Sequence, residues 1–269
     1  MKSDKKYILI TGATSGIGFE LAKLFAKDNY NLVIVARDEQ KLTESATELK
    51  NLGVDVIALS KDLFLRESPF ELYEEIKTRG IIIEMLINDA GQGAYGEFVD
   101  IDLNRELDII QLNISAVVVL TKLFLKDMVS RNAGRILNVA SIAGKVPGPY
   151  QAVYHGTKAF IHSFTEAIRS EVKASGSAVT LTSLLPGATD TDFFNKADME
   201  QSKVVQEGKL GDPETVARDG YEALLEGKDM VVSGFKNKVQ VAMANVLPDS
   251  VSAENMRKTQ EPINKDKED

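Results

Sequence analysis

The sequence has no cysteine and only two histidines among its 269 residues. Without cysteine, the chain can form no disulfide bond and carry out no thiolate chemistry. The histidines, His155 and His162, are not accompanied by a convergent cluster of carboxylates. We therefore expect them to be ordinary helix residues and expect no metal site.

Excess positive charge and long apolar runs are also absent. The net charge of −8 argues against nucleic-acid binding, which needs clustered positive charge. The run Tyr7–Ile10 is too short for a signal sequence, and the run from Ile114 to Leu125 contains Lys122 and is too short for a membrane span. These absences predict a cytoplasmic protein with neither a nucleic-acid nor a membrane partner.

Short apolar runs alternate with amphipathic helical segments such as Phe19–Lys27 and Glu39–Leu49. Several of the runs are nearly all apolar, as is typical of strands buried on both faces. This alternation predicts an α/β fold, a Rossmann-type doubly wound parallel sheet of about seven strands with helices on both faces. The predicted strands are Tyr7–Thr11, Asn31–Ala36, Val54–Leu59, Met85–Asn88, Arg135–Ser141, Val179–Leu185 and Met230–Ser233.

No repeat or long linker interrupts the pattern, so we predict a single domain over residues 1–255. Residues 256–269 are mostly charged and polar, and we expect them to form a disordered, solvated tail. Between these parts, Phe235–Leu247 mixes apolar residues with two lysines. We interpret this segment as a helix or loop that packs on the domain rather than as a membrane-surface helix.

A glycine-rich turn, Thr11-Gly12-Ala13-Thr14-Ser15-Gly16-Ile17-Gly18, follows the first strand and opens a helix. Glycine suits a backbone that takes positive φ or approaches a ligand closely, and a helix start offers free N–H groups to a pyrophosphate. A turn of this kind can also be only a tight connection, but its place in a βαβ unit favours phosphate binding. The candidate contacts are Gly12, Thr14, Ser15, Gly16, Ile17 and Gly18.

The second strand ends at Ala36 and is followed by Arg37 and Asp38. An acidic residue at the strand end would accept hydrogen bonds from a ribose 2′-hydroxyl and repel a 2′-phosphate. Here the guanidinium of Arg37 suits a phosphate instead. The alternative is that Arg37 is a solvated loop cation and that Asp38 takes the acidic role.

Tyr154 and Lys158 lie one helical turn apart, and Ser141 ends the strand thirteen residues before Tyr154. An ammonium about 5 Å from a phenol favours the phenolate by roughly 3 kcal/mol at an effective dielectric near 20, about two pK units. Lys158 is therefore expected to lower the pKa of Tyr154 towards the range of efficient proton transfer. Ser141 is placed to hydrogen-bond a substrate oxygen.

The same spacing occurs a second time, in Ser60, Tyr73 and Lys77. Here Phe70, Tyr73 and Ile76 form an apolar stripe, so Tyr73 is better explained as a packing residue. This copy also follows the third strand, on the adenine half of such a sheet. We therefore place catalysis at Tyr154.

The glycine turn resembles the TGxxxGxG turn of the short-chain dehydrogenase/reductase family. Asn88-Asp89-Ala90-Gly91 resembles the NNAG segment of that family, with Asp89 in place of the second Asn. The segment Pro186–Thr191 resembles the part that holds the nicotinamide carboxamide. The resemblance covers about Lys5 to Ser233.

The resemblance implies an oxidoreductase that transfers hydride between NADP(H) and a small carbonyl or alcohol substrate. Tyr154 would be the general acid and base, and Lys158 would hold the nicotinamide ribose. Ser141 would stabilise the oxyanion, and Asn113, on a helix from about 104 to 130, would anchor a relay water. Further implied cofactor contacts are Arg37, Asp62, Leu63, Asn88, Ala90, Gly91, Tyr154, Lys158, Pro186, Gly187, Thr189 and Thr191.

Two alternatives remain open at this point, an NAD-dependent alcohol dehydrogenase of the same fold and a non-catalytic sensor of NADP(H). The family also implies a homodimer or homotetramer formed through the helices that carry Asn113 and Tyr154, and the apolar run Ala116–Leu120 permits this. A variable lid is expected over Thr191–Lys209. Its Phe193 and Phe194, with Tyr95 and Tyr150, indicate an apolar or aromatic substrate or, equally, packing within the lid.

Overall fold

Seven parallel strands form one sheet in this computed structural model, which describes residues 6–244 and 246–263. The order across the sheet is β3-β2-β1-β4-β5-β6-β7. It reverses between β1 and β4, where the carboxyl ends of the strands leave a crevice for a ligand. The strands are β1 (Lys6–Thr11), β2 (Asn31–Ala36), β3 (Val56–Ser60), β4 (Ile82–Asn88), β5 (Arg135–Val139), β6 (Thr180–Leu185) and β7 (Met230–Val232).

Helices connect the strands and cover both faces of the sheet, so the predicted doubly wound fold is confirmed. They are α1 (Gly16–Lys27), α2 (Glu39–Lys50), α3 (Ser68–Thr78), α4 (Leu103–Ile110), α5 (Val117–Ser130), α6 (Ala152–Ala174), α7 (Phe193–Lys196), α8 (Lys203–Gln206), α9 (Pro213–Leu225), α10 (Phe235–Ala244) and α11 (Asp249–Gln260).

The alternation of side chains along β1 shows how the two faces are built. Ile8 and Ile10 pack against α1, α2 and α9, whereas Tyr7 and Leu9 pack against α3, α5 and α6. Successive residues of a strand point to opposite faces, so a strand covered by helices on both sides must be apolar throughout. The carboxyl edge of the sheet, between these layers, holds the polar residues described below.

The segment Leu103–Ser130 is one continuous helical run, because a π-helical turn, Gln111–Ala116, joins α4 to α5. Its length and composition alone would let it cross a membrane, which the shorter run considered in the sequence did not indicate. However, Leu120, Phe124 and Met128 are buried in the core beside the sheet. The segment packs as a core helix of the domain.

The C-terminal segment differs from the expected solvated tail. Helix α11 crosses residue 255 and ends at Gln260, which is buried, and the N–H of Ile263 donates to the carbonyl of Gln201. The prediction is therefore wrong for residues 256–263, because backbone pairing and a buried amide offset their polar composition. Residues 264–269 of the predicted tail lie outside the described residues.

The segment Phe235–Leu247 is helical from Phe235 to Ala244, as expected for a helix on the domain. Val241 is buried in a small cluster that it shares with Val117 and Leu185. Phe235 is 80% exposed, so the helix packs through only part of its apolar surface.

Candidate active site

A cavity of about 940 Å³ opens at the carboxyl edge of the sheet. Loops that follow all seven strands contribute to its walls, and residues of the predicted lid also line it. This is the edge at which doubly wound sheets bind their ligands. Its size and position match an elongated ligand that crosses the point where the strand order reverses.

The glycine turn, which follows β1, forms the floor of the cavity. Gly12 and Gly16 have φ values of +74° and +55°, which favour glycine because a side chain would strain the backbone there. A Cβ on Gly16 would also lie 2.8 Å from a methyl carbon of Thr191. Ser15, the N-cap of α1, makes no side-chain capping bond, which leaves this helix start to a ligand.

Asp89 is the carboxylate that replaces the second Asn of the NNAG segment. It lies beneath the glycine turn, where the backbone N–H of Gly18 donates to it. A Cβ on Gly18 would lie 2.5 Å from the Asp89 carboxylate and 2.6 Å from the carbonyl of Gly12, so only glycine fits. Burial raises the pKa of Asp89 to about 7, and the charge of Lys158 opposes this rise.

The wall of the cavity beyond β2 carries three cations and two carboxylates, Arg37, Lys41, Lys61, Asp38 and Asp62. The guanidinium of Arg37 lies 5.0 Å from the centre of the Phe64 ring. Asp38, the alternative acidic determinant, instead caps α2 by accepting the backbone N–H of Lys41 at 3.0 Å. This arrangement fits an additional phosphate at the adenosine end of a dinucleotide.

Ser141, Tyr154 and Lys158 meet in the wall beside β5. Tyr154 and Lys158 lie on one face of α6, and the Ser141 and Tyr154 hydroxyls are hydrogen-bonded. Nζ of Lys158 donates to the carbonyl of Val139 at 2.9 Å. A strand end and a helix therefore hold a hydroxyl, a phenol and an ammonium together, the set that proton transfer to a carbonyl requires.

The electrostatics of this group differ from the expectation that Lys158 makes Tyr154 acidic. Burial raises the pKa of Tyr154 to about 12, the Ser141 hydrogen bond lowers it, and the charge of Asp89 raises it. Burial also lowers the pKa of Lys158 to about 8, which the Asp89 carboxylate opposes. The expectation from the sequence considered only the charge of Lys158. Desolvation disfavours both the Tyr154 phenolate and the Lys158 ammonium, and it is the largest cause of both pKa shifts.

Asn113 lies in the π-helical turn and is buried. Its amide nitrogen donates to the carbonyl of Gln92 at 2.8 Å and to the Thr157 hydroxyl at 3.0 Å, and its oxygen accepts the N–H of Gln92 at 3.0 Å. A Cβ on Gly91 would lie 3.4 Å from the Asn113 oxygen and 3.2 Å from Nζ of Lys158. Asn113 thus ties the loop after β4 to α6 directly beside Lys158.

Most of the predicted cofactor residues line the cavity together with Ser141. They are Gly12, Thr14, Ser15, Gly16, Ile17, Arg37, Asp62, Leu63, Ala90, Gly91, Tyr154, Lys158, Pro186, Gly187, Thr189 and Thr191.

Gly18 and Asn88 lie outside the cavity lining, and each has a partner within the protein. The N–H of Gly18 is used by Asp89. The Asn88 amide donates to Asn138 at 2.8 Å and to Thr121 at 3.1 Å. Asn88 therefore joins β4 to β5 and α5 inside the domain.

The second Tyr-Lys pair lies away from the cavity. The Tyr73 hydroxyl is 3.2 Å from both carboxylate oxygens of Asp127, and Lys77 forms an ion pair with the same carboxylate at 2.9 Å. The Tyr73 ring packs edge-on against Phe124 at 5.2 Å. These contacts attach α3 to α5, as the interpretation of Tyr73 as a packing residue requires.

Three glutamines that belong to no recognised motif line the cavity, Gln92, Gln151 and Gln260. Gln151 precedes Tyr154 by three residues, which could have drawn attention to it. Gln260 is 109 residues further along the chain, yet its amide lies 3.2 Å from that of Gln151. No local pattern indicates such a contact.

Comparison with known proteins supports the resemblance to the short-chain dehydrogenase family that the sequence motifs indicated. The short chain dehydrogenase family model matches residues 6–202. A ketoacyl reductase of Nostoc sp. is 30% identical over 246 residues, which cover 90% of this chain and 79% of that protein.

Solved structures show the same fold. A short-chain dehydrogenase from Sphingobium yanoikuyae, in complex with NADPH, is 26% identical with a TM-score of 0.79, covering 90% of this chain and 94% of that one. A short chain dehydrogenase/reductase from Burkholderia phymatum, in complex with NAD, is 24% identical with a TM-score of 0.81, covering 98% and 99%. The chain is therefore an oxidoreductase of the short-chain dehydrogenase family.

Proposed function

We propose that this oxidoreductase uses NADPH to reduce a small carbonyl substrate, with Tyr154 donating the proton. The observation that carries the proposal is the convergence of Ser141, Tyr154 and Lys158 on a cavity floored by the glycine turn. The close approach of the backbone at Gly12 and Gly16 and the uncapped start of α1 fit a dinucleotide pyrophosphate. An NADP(H) sensor would need the floor of the cavity but not these three side chains.

NADPH rather than NADH is favoured by the wall beyond β2. The strand ends at Ala36, the Asp38 carboxylate is engaged in capping α2, and Arg37 and Lys41 line the cavity. A 2′-phosphate would find cations here, and the strand-end position that usually holds the carboxylate acceptor for a ribose 2′-hydroxyl is Ala36. Arg37 is the residue we propose for the 2′-phosphate.

When bound, NADPH supplies the hydride that adds to the carbonyl carbon of the substrate. The Tyr154 hydroxyl gives its proton to the carbonyl oxygen, and the Ser141 hydroxyl stabilises the charge that develops on that oxygen. Lys158 stabilises the phenolate that is left on Tyr154. The raised pKa of Tyr154, about 12, keeps the phenol protonated at neutral pH, which is the form that reduction needs.

A panel of ketones and aldehydes, followed by the absorbance of NADPH, tests this function. We expect turnover with at least one carbonyl class and a higher kcat/KM with NADPH than with NADH. Binding of NADPH without oxidation across the panel would contradict the proposal and favour a sensor. A higher kcat/KM with NADH would contradict only the cofactor preference.

The expected homodimer or homotetramer is also part of this proposal. The predicted contact run Ala116–Leu120 faces the core at Ala116, Val117 and Leu120. Exposed apolar side chains occur instead at Leu103 and Leu107 of α4, which are 67% and 52% exposed. Light scattering after gel filtration measures the oligomer, and a monomeric mass would contradict it. The cytoplasmic location stays a prediction.

A further inference from the structure

Three glutamines that line the cavity each keep one buried amide atom without a hydrogen-bond partner in the described part of the chain. The atoms are Oε1 of Gln92, Nε2 of Gln151 and Oε1 of Gln260. Their side chains belong to residues that are 7%, 3% and 5% exposed and that line the cavity. An unsatisfied buried polar atom destabilises a fold, so its retention at a cavity needs an explanation.

His155 fixes which amide atoms remain available. Its Nδ1 lies 2.9 Å from the carbonyl of Val146, and a carbonyl only accepts, so Nδ1 carries the hydrogen. Burial lowers the pKa of His155, which keeps the ring neutral and leaves Nε2 as an acceptor. The group 3.0 Å from Nε2 must therefore be the NH₂ of Gln260.

The second hydrogen of that NH₂ donates to Oε1 of Gln151 at 3.2 Å. This fixes the Gln151 amide as well, with its own NH₂ directed away from Gln260. The result is a chain of hydrogen bonds from Val146 through His155 and Gln260 to Gln151. At its end, Gln151 offers a donor and Gln260 offers an acceptor, and both are free.

The free donor of Gln151 lies near the ring of Phe193. A Cβ on Gly93 would lie 3.3 Å from Nε2 of Gln151 and 2.9 Å from the Phe193 ring. The Phe193 ring is in turn 4.9 Å from the Tyr154 ring. Because Tyr154, Phe193 and Gln151 all line the cavity, a substrate whose carbonyl contacts Tyr154 can extend over Phe193 towards Gln151.

Gln260 is held rigidly although it ends a surface helix. Its carbonyl accepts the Tyr95 hydroxyl at 2.5 Å. The next residue, Glu261, accepts the N–H of Lys203 on the lid at 3.1 Å, and the side chains of these two residues form an ion pair. The acceptor is thus positioned before any ligand binds, which favours specific recognition.

We propose that Gln151 and Gln260 form a subsite for an uncharged primary carboxamide on the substrate. The inference rests on the proposed function, and it makes the preferred substrate a keto amide. Nε2 of Gln151 donates to the amide oxygen of the substrate, and Oε1 of Gln260 accepts its N–H. An ester lacks the N–H, and a carboxylate would place negative charge against the Gln260 oxygen.

Two ketones of similar size test the subsite, 3-oxobutanamide and methyl 3-oxobutanoate. For the wild type we expect kcat/KM to be about 10- to 100-fold higher for the amide than for the ester. In Gln260→Met, the amide-to-ester ratio of kcat/KM should fall to about threefold or less, mainly because KM for the amide rises. Lys258→Met, an exposed change on the same helix, should leave the ratio and both rates as in the wild type. A wild-type ratio near one, or a ratio that Gln260→Met does not change, would overturn the subsite.

A binding measurement separates this inference from the proposed function. Butanamide cannot be reduced by hydride at a ketone, and calorimetry measures its affinity for the NADPH complex. If Gln260→Met weakens the binding of butanamide about tenfold or more, the subsite is supported. This holds even if the enzyme turns over no ketone, because that result would overturn only the reductase proposal. Equal binding to both proteins would overturn the subsite alone. If Gln260→Met does not fold by thermal melting, Gln151→Met replaces it in both experiments.

Discussion

Lys158 lies one turn after Tyr154 on α6, and its Nζ is 5.8 Å from the centre of the Tyr154 ring. The ammonium donates to the carbonyl of Val139 rather than to the phenol. Its charge is therefore fixed beside Tyr154 while the phenol keeps its own hydrogen. This relationship suits a reductase, because the phenol must donate a proton and the lysine must stabilise the phenolate that remains.

The pH dependence of reduction should follow Lys158. Its pKa is lowered to about 8 by burial, whereas that of Tyr154 is raised to about 12. Both groups act in their protonated forms, so activity is present below these pKa values and is lost as the pH rises through the lower one. We expect kcat/KM for reduction to be level between about pH 6 and 7 and to fall above about pH 8. A profile that rises between about pH 7 and 9 would contradict this assignment.

Asp89 should influence the pH at which kcat/KM for reduction begins to fall. Its negative charge raises the pKa of Lys158, and Asp89→Asn removes that charge while the amide oxygen can still accept the N–H of Gly18. We expect the alkaline limb to move to lower pH by up to about one unit. Asp100→Asn removes an exposed carboxylate as the control and should not move it. An unchanged limb in Asp89→Asn would show that this charge does not act on Lys158.

Arg37 should decide between the two nicotinamide cofactors. A hydrogen bond to a charged group contributes about 1.5–3 kcal/mol, so Arg37→Ala should lower kcat/KM for NADPH by about 10- to 100-fold. The value for NADH should change by less than about threefold. Arg66→Ala, an exposed arginine that does not line the cavity, is the matched control. Equal losses with both cofactors would argue against a contact of Arg37 with the 2′-phosphate.

The sheet could be predicted because buried parallel strands are nearly uniform apolar runs. Strand β2 begins and ends where the sequence indicated. Strand β4 starts three residues earlier than predicted, at Ile82, because Glu84 interrupts the apolar run. That side chain forms an ion pair with Lys6 at 3.4 Å, so a charged residue is accommodated inside a strand by a partner that only the fold brings near.

The positions of the Tyr154–Lys158 pair and of the glycine turn could be predicted because each is local in the chain. Tyr154 and Lys158 are neighbours on one helix, and the glycine turn is a single segment. The pKa of Tyr154 could not be predicted, because burial has no signature in residue spacing. Gln260 could not be predicted either, since it ends a mostly polar helix and reaches Gln151 only through tertiary packing.

Two helix glycines should respond in opposite directions to alanine. Gly156 of α6 has no heavy atom within 4 Å of an added Cβ, so Gly156→Ala should raise the free energy of unfolding by about 0.5–1 kcal/mol. An added Cβ on Gly18 would overlap the Asp89 carboxylate and the Gly12 carbonyl, so Gly18→Ala should lower it by about 1–3 kcal/mol. Urea unfolding measures both. A stabilising Gly18→Ala would contradict the packing beneath the glycine turn.

The role of Tyr154 is tested most directly by Tyr154→Phe, which removes the phenolic hydroxyl and keeps the ring that packs against Phe193. NADPH oxidation with the best ketone and NADPH binding are measured on the same preparation. We expect kcat to fall by about 10²- to 10⁴-fold and the affinity for NADPH to stay within about threefold of the wild type. Turnover at the wild-type rate would contradict it, because the proton would then come from another group.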